Sequence, residues 1–171
     1  MKREYVTKSR QRTLFVCRAA LIAALYVVLT LLSAALGLSS GVIQIRFSEA
    51  LCVLPVLTTA AIPGLALGCF VANLLTGALW QDMVFGTLAT LLGALGTYWL
   101  RRTRFWYTLP PVLSNALIIP LVLSYAYGME EGIPFMALTV GLGEAISVSV
   151  LGLLLLAGLR RCAVLETKGN P

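Results

Sequence analysis

The sequence predicts an all-α integral membrane protein with six transmembrane helices and both termini in the cytoplasm. Three observations carry this. Of the 171 residues, 59% are hydrophobic, and the mean hydropathy is +0.91. Only 12% are charged, where a soluble domain carries about 25%. Long runs such as 50–81 hold no charge at all, which exceeds what one buried helix needs. The composition gives a single membrane domain over 1–171, with no room for a separate catalytic domain.

Each span is bounded by its own signals. Residues 1–13 form a polar, basic cytoplasmic leader. The apolar run after it is long and lacks a convincing cleavage site, so it reads as a first helix over 14–38, not a removed signal peptide. Gly37 and the cluster Ser39-Ser40-Gly41 stop it. The second span, 47–61, is short and contains Pro55. The third, 63–80, opens on Pro63-Gly64, where proline suits a first helical turn. Asp82 separates it from the fourth, 83–100, which closes on Arg101, Arg102 and Arg104. The fifth covers 109–127, and the linker carrying Glu130 and Glu131 follows. The sixth covers 135–159 and ends at Arg160-Arg161, leaving a cytoplasmic tail, 160–171.

The basic residues orient these spans. Twelve of the thirteen lie at 2–18, 101–104 and 160–168, on one side of a six-span chain. Positive residues mark the cytoplasmic side, so both termini are inside. A five-span chain, with the second and third segments merged, would place Arg101, Arg102, Arg160 and Arg161 outside. The net charge of +6 is therefore a topology signal, and no nucleic acid partner is implied. There is no convincing internal repeat, which counts against inverted-repeat secondary transporters.

Enzyme chemistry has little to work with. The chain has no histidine, one aspartate and no lysine within a span. These absences exclude the commonest general base, an aspartyl dyad and an intramembrane Ser-Lys dyad. No Gly-rich phosphate loop is present, so ATP hydrolysis by that route is excluded. Cys17, Cys52, Cys69 and Cys162 show no metal spacing and read as small hydrophobes. No metal or cofactor is implied.

The candidate site residues are the few polar groups at membrane depth. Arg46 is the only basic residue outside the cytoplasmic clusters, and Glu49 follows it by three positions. They could form an (i, i+3) ion pair or contact a ligand. Gln44, Asn73 and Asn115 are further candidates; the two asparagines could equally serve helix packing. Glu144 lies about ten residues into the sixth span and has no basic residue at its expected depth. A charge at mid-bilayer costs roughly 3 kcal/mol, so such a group faces an interior or cavity. In the first span Ala19, Ala20, Ala23 and Ala24 make two overlapping small-xxx-small pairs, a face that permits close helix approach.

The stretch Ile43-Gln-Ile-Arg-Phe-Ser-Glu-Ala-Leu51 resembles the QueT family, the substrate-binding (S) components of energy-coupling factor (ECF) transporters for queuosine precursors. The resemblance continues through Ala60-Ala-Ile-Pro-Gly-Leu65, Gly68-Cys-Phe-Val-Ala-Asn-Leu74, Phe85-Gly-Thr-Leu-Ala-Thr-Leu91, Asn115-Ala-Leu117 and Gly143-Glu-Ala145. It implies a six-helix S component in a prokaryotic plasma membrane that docks on a transmembrane coupling subunit and two ABC ATPases. It also implies that an Ala-x-x-x-Ala face of the first helix makes that contact; Ala19/Ala23 or Ala20/Ala24 match. The implied ligand is a 7-deazaguanine. Its adjacent N–H donors suit a carboxylate, Glu144 or Glu49. Its acceptors suit Arg46, Gln44, Asn73 or Asn115. Phe47, Trp80 and Tyr125 are candidates for stacking on its ring. Other readings of the same residues are a self-sufficient secondary transporter with Glu144 as an ion site, an S component for another vitamin-like or purine solute, and a membrane scaffold without a ligand.

Overall fold

The computed structural model describes residues 2–38, 44–128 and 132–168, and among these there are only helices and turns. The expected stop at Ser39-Ser40-Gly41 and the acidic linker residues Glu130 and Glu131 lie outside the described residues. Helix α1 runs Lys2–Ala35, α2 Ala61–Leu75, α3 Trp80–Trp99, α4 Leu109–Tyr125, α5 Ile133–Glu144 and α6 Gly152–Lys168. A 3-10 segment, Phe47–Val56, lies between α1 and α2. A π turn, Ala145–Leu151, joins α5 to α6, and a short 3-10 turn, Trp106–Thr108, leads into α4. Among the described residues, three helical runs are long and apolar enough to cross a membrane: Ser9–Ala35, Trp106–Tyr125 and Ile133–Cys162.

Four features depart from the sequence reading. Asp82 lies in the first turn of α3 instead of between two helices, and a π turn interrupts the predicted sixth span. The leader and the second span also differ. The leader is helical from Lys2, because no glycine or proline interrupts residues 2–35. The helix ends where Gly37 takes φ 71°, and the Leu38 N–H reaches back to the Ser33 carbonyl at 3.0 Å. The predicted second span, 47–61, is not a full helix. It is a ten-residue 3-10 segment ending at Val56, and Pro55 removes a backbone donor inside it. Such a segment rises about 20 Å, short of the roughly 30 Å hydrocarbon core. It survives because it is interior: every residue from Ser48 to Pro55 is buried. Helices α1, α2, α3 and α6 and the π turn enclose it. Irregular backbone at membrane depth is tolerated only where protein covers it.

Helix α1 anchors this segment. Its buried face carries Tyr26, Thr30 and Ser33 at helical spacing. The Tyr26 hydroxyl donates to Glu49 Oε1. The Phe47 N–H, an orphan donor at the start of the 3-10 segment, donates to Ser33 Oγ at 2.8 Å. Helix α1 reaches α2 just as closely. A Cβ on Gly64 would lie 2.7 Å from the Ala19 carbonyl oxygen, and one on Gly68 would lie 2.7 Å from Tyr26 Cβ and 3.0 Å from the Ala23 carbonyl oxygen. Ala19 and Ala23 are thus spent on packing within the chain, while Ala20 and Ala24 stay exposed.

Gly68→Ala should therefore lower the unfolding midpoint in detergent, at a cost of about 1–3 kcal/mol for overpacking. Gly158→Ala is the control, since its Cβ would meet nothing within 4 Å. Equal midpoints for the two variants would refute the close α1–α2 contact.

Candidate functional site

Five elements converge on one narrow polar cavity. The extended residues before the 3-10 segment supply Gln44 and Arg46, and the segment's first turn supplies Glu49. Helix α2 adds Cys69, α3 adds Gly86 and Thr90, α4 adds Asn115 and Ile119, and α5 adds Val140 and Glu144. Gly143 makes this convergence possible. A Cβ there would lie 2.1 Å from the Gln44 carbonyl oxygen, so backbone meets backbone one residue before Glu144. The π turn then begins directly after Glu144, with the Gly152 N–H bonded to the Ser147 carbonyl five residues back.

The two buried carboxylates are treated differently. Glu49 is saturated: Tyr26 donates to Oε1, and the Cys52 thiol donates to Oε2 at 3.1 Å. Glu144 is 8% exposed, and its Oε2 has no hydrogen-bond partner among the described residues. Asn115, itself buried, is the amide beside it. Arg46 lies within electrostatic reach of both carboxylates. Among the described residues it forms no ion pair with Glu49, whose oxygens face Tyr26 and Cys52 instead. The (i, i+3) pair requires a helical turn at Arg46, and that residue is extended, at φ −114° and ψ 114°. Its guanidinium therefore stays in the cavity wall with its donors unspent on Glu49.

The other candidates fall elsewhere. Asn73 is buried behind the wall and donates to the Asp82 carbonyl at 3.4 Å and to Cys69 Sγ at 3.7 Å, which ties α2 to α3. Phe47 is partly buried but does not line the cavity. Trp80 and Tyr125 are 64% and 82% exposed and lie on the outer surface, so stacking on a ligand in this cavity is not their role. Tyr125 instead borders an apolar groove between α3 and α4. Sequence reasoning missed Tyr26, Cys52, Cys69 and Thr90. The signal for Tyr26 was present: Tyr26, Thr30 and Ser33 form the polar stripe of an otherwise apolar helix.

Helices with apolar outer faces around a buried polar cavity define a multi-pass membrane protein with an internal polar site. The sequence profile of the QueT transporter matches residues 16–161, and the chain belongs to the QueT transporter family. That family is one of transporters. The chain is 33% identical over 101 residues to the queuosine precursor transporter QueT of Lactococcus lactis subsp. cremoris (strain MG1363). That match covers 57% of this chain and 59% of the relative's length. No solved structure matches the chain.

Replacing Gly143 should separate the two halves of the site. Gly143→Val should abolish saturable ligand binding while far-UV circular dichroism keeps the helical signal. Unchanged affinity would show that the Gln44–Gly143 contact does not shape the site.

Proposed function

We propose that the chain is the substrate-binding S component of an ECF importer for a queuosine precursor of the 7-deazaguanine class. In this reading it crosses the bilayer six times with both termini cytoplasmic. The crossings are α1, the 3-10 segment together with residues 44–46 that lead into it, α2, α3, α4 and the continuous α5–π–α6 run. The coupling subunit and two ABC ATPases supply the energy for delivery. Support comes from the family, from the relative's name and from the inside-positive charge pattern.

The observation that carries the proposal is Glu144 Oε2, buried and unpartnered beside Arg46 and Asn115. A buried carboxyl oxygen left without a hydrogen bond costs free energy until something donates to it. A ligand's adjacent N–H groups would satisfy it. Arg46, Gln44 and Asn115 would then meet the ligand's carbonyl and ring acceptors. Glu49 is already bonded and serves to hold the 3-10 segment. Residues from five elements closing on one small molecule would also exclude water, which strengthens each of these bonds.

Titration calorimetry of the purified protein with queuine, the aminomethyl and nitrile precursors, and guanine tests the ligand. A 7-deazaguanine should bind saturably, and Glu144→Gln should weaken it roughly tenfold, the loss of about one charge-assisted hydrogen bond. No saturable binding by any of the four would reject the reading, as would uptake into liposomes by the chain alone.

The partner contact falls to Ala20 and Ala24, because Ala19 and Ala23 pack against Gly64 and Gly68. Ala24→Trp should block co-purification with the coupling subunit yet leave ligand affinity unchanged. A complex that survives this substitution would put the docking face elsewhere.

A further inference from the structure

The turn between α3 and α4 joins three arginines to exposed aromatic rings. Arg101 seats its guanidinium 4.0 Å from the centroid of the Tyr98 ring, and Arg104 lies 5.4 Å from that of Phe105. Arg102 projects into solvent between them. None of the three forms an ion pair among the described residues. The nearest acid on the same helix, Asp82, lies about 28 Å away along α3. The rings flanking the turn point outward: Trp99 is 84% exposed, Trp106 64% and Phe105 57%.

The turn is built to hold this shape. The Thr103 N–H donates to the Leu100 carbonyl at 2.9 Å, closing a β-turn. Thr97 Oγ1 donates to the Tyr107 carbonyl at 2.9 Å, and the Tyr107 ring is buried beneath. Pro110 and Pro111 press on Gly96 and Gly93, so α3 and α4 approach closely at this end. The adjoining faces of the two helices are apolar and exposed, through Leu92 and Leu95 on α3 and Leu109 and Leu113 on α4.

We propose that this turn binds the headgroup of an anionic phospholipid. Arg101, Arg102 and Arg104 meet its phosphate and net negative charge, while Trp99, Phe105 and Trp106 sit at headgroup level. Charge complementarity selects the occupant: guanidinium groups favour phosphate, and planar amphipathic rings favour the bilayer interface. An acidic protein surface would explain the arginines but not two exposed tryptophans flanking them. Topology alone requires only that positive charge be present, not that guanidinium groups be stacked on rings and fixed on a closed turn.

Brominated lipids test the site directly. In a Trp80→Phe background, Trp99 and Trp106 are the only tryptophans left of the three. The protein is reconstituted in phosphatidylcholine vesicles containing a small fraction of either chain-brominated phosphatidylglycerol or chain-brominated phosphatidylcholine. Brominated phosphatidylglycerol should quench more strongly, with an enrichment of roughly fivefold for each arginine engaged. The preference should vanish in R101Q/R102Q/R104Q, fall in Arg102→Gln alone, and shrink in the unaltered turn at high salt. Arg102 stacks on no ring, so its single variant guards against misfolding of the triple one. Equal quenching by both lipids, or a preference that persists in Arg102→Gln and at high salt, would overturn the proposal. Loss of partner assembly in the arginine variants with no lipid preference would also overturn it, in favour of a protein contact.

Discussion

The hydrogen bonds that close on Glu49 are the constraint on which the rest of this molecule depends. A carboxylate inside a membrane protein has to be satisfied, and Tyr26 and Cys52 satisfy both of its oxygens. Tyr26 belongs to α1, so the bond pins the 3-10 segment to the first helix. Ser33 adds a second pin two turns further along by capping Phe47. With residues 47–49 fixed, Arg46 enters the segment in extended form, and Gln44 just before it meets α5 at Gly143. Glu144 follows at once. The cavity is thus a consequence of where the second segment is tied down.

Glycine and alanine contacts set the frame around this interaction. Ala19 and Ala23 on α1 meet Gly64 and Gly68 on α2, and Gly93 and Gly96 on α3 meet Pro111 and Pro110 on α4. Between lipid-exposed helices, packing of small residues replaces the hydrophobic drive that would operate in water. The buried 3-10 segment and the π turn run beside each other, and Gly152 accepts Val53 and Ala50 at close range. The 3-10 segment therefore lies inside the protein, where its backbone polar groups find partners, while the π turn packs on it through Ser147 and Val148 and exposes Ile146 and Val150.

Much of this was legible in the sequence. Apolar segments near the predicted positions, the isolation of Arg46 and the depth of Glu144 follow from hydropathy and charge alone, and Gln44, Arg46, Glu49, Asn115 and Glu144 do share one cavity. What failed had physical causes. Hydropathy reports that 47–61 is apolar but cannot tell a lipid-facing helix from a buried 3-10 segment. Sequence spacing placed Glu49 near Arg46, yet a long-range contact gave one of its oxygens to Tyr26 and the local 3-10 turn gave the other to Cys52. The alanine pattern on α1 offered two faces, and only the packing of α2 shows which one is occupied. Trp80 and Tyr125 matched a ring-stacking role by type, but helix rotation turns both outward.

In the function proposed above the two carboxylates divide the work: Glu49 holds the fold, and the unpartnered oxygen of Glu144 takes the ligand. A partner bonded in the fold stabilises the empty protein, whereas a group held for a ligand destabilises it until the ligand arrives. The most direct measurement is the unfolding midpoint of Tyr26→Phe and Glu144→Gln, each with and without a saturating queuosine precursor. Tyr26→Phe should lower the midpoint of the empty protein and keep the rise that ligand produces. Glu144→Gln should leave the empty protein at least as stable as the unaltered chain and lose most of that rise. The opposite pattern, with Tyr26→Phe silent in the empty protein and Glu144→Gln still fully stabilised by ligand, would contradict the account.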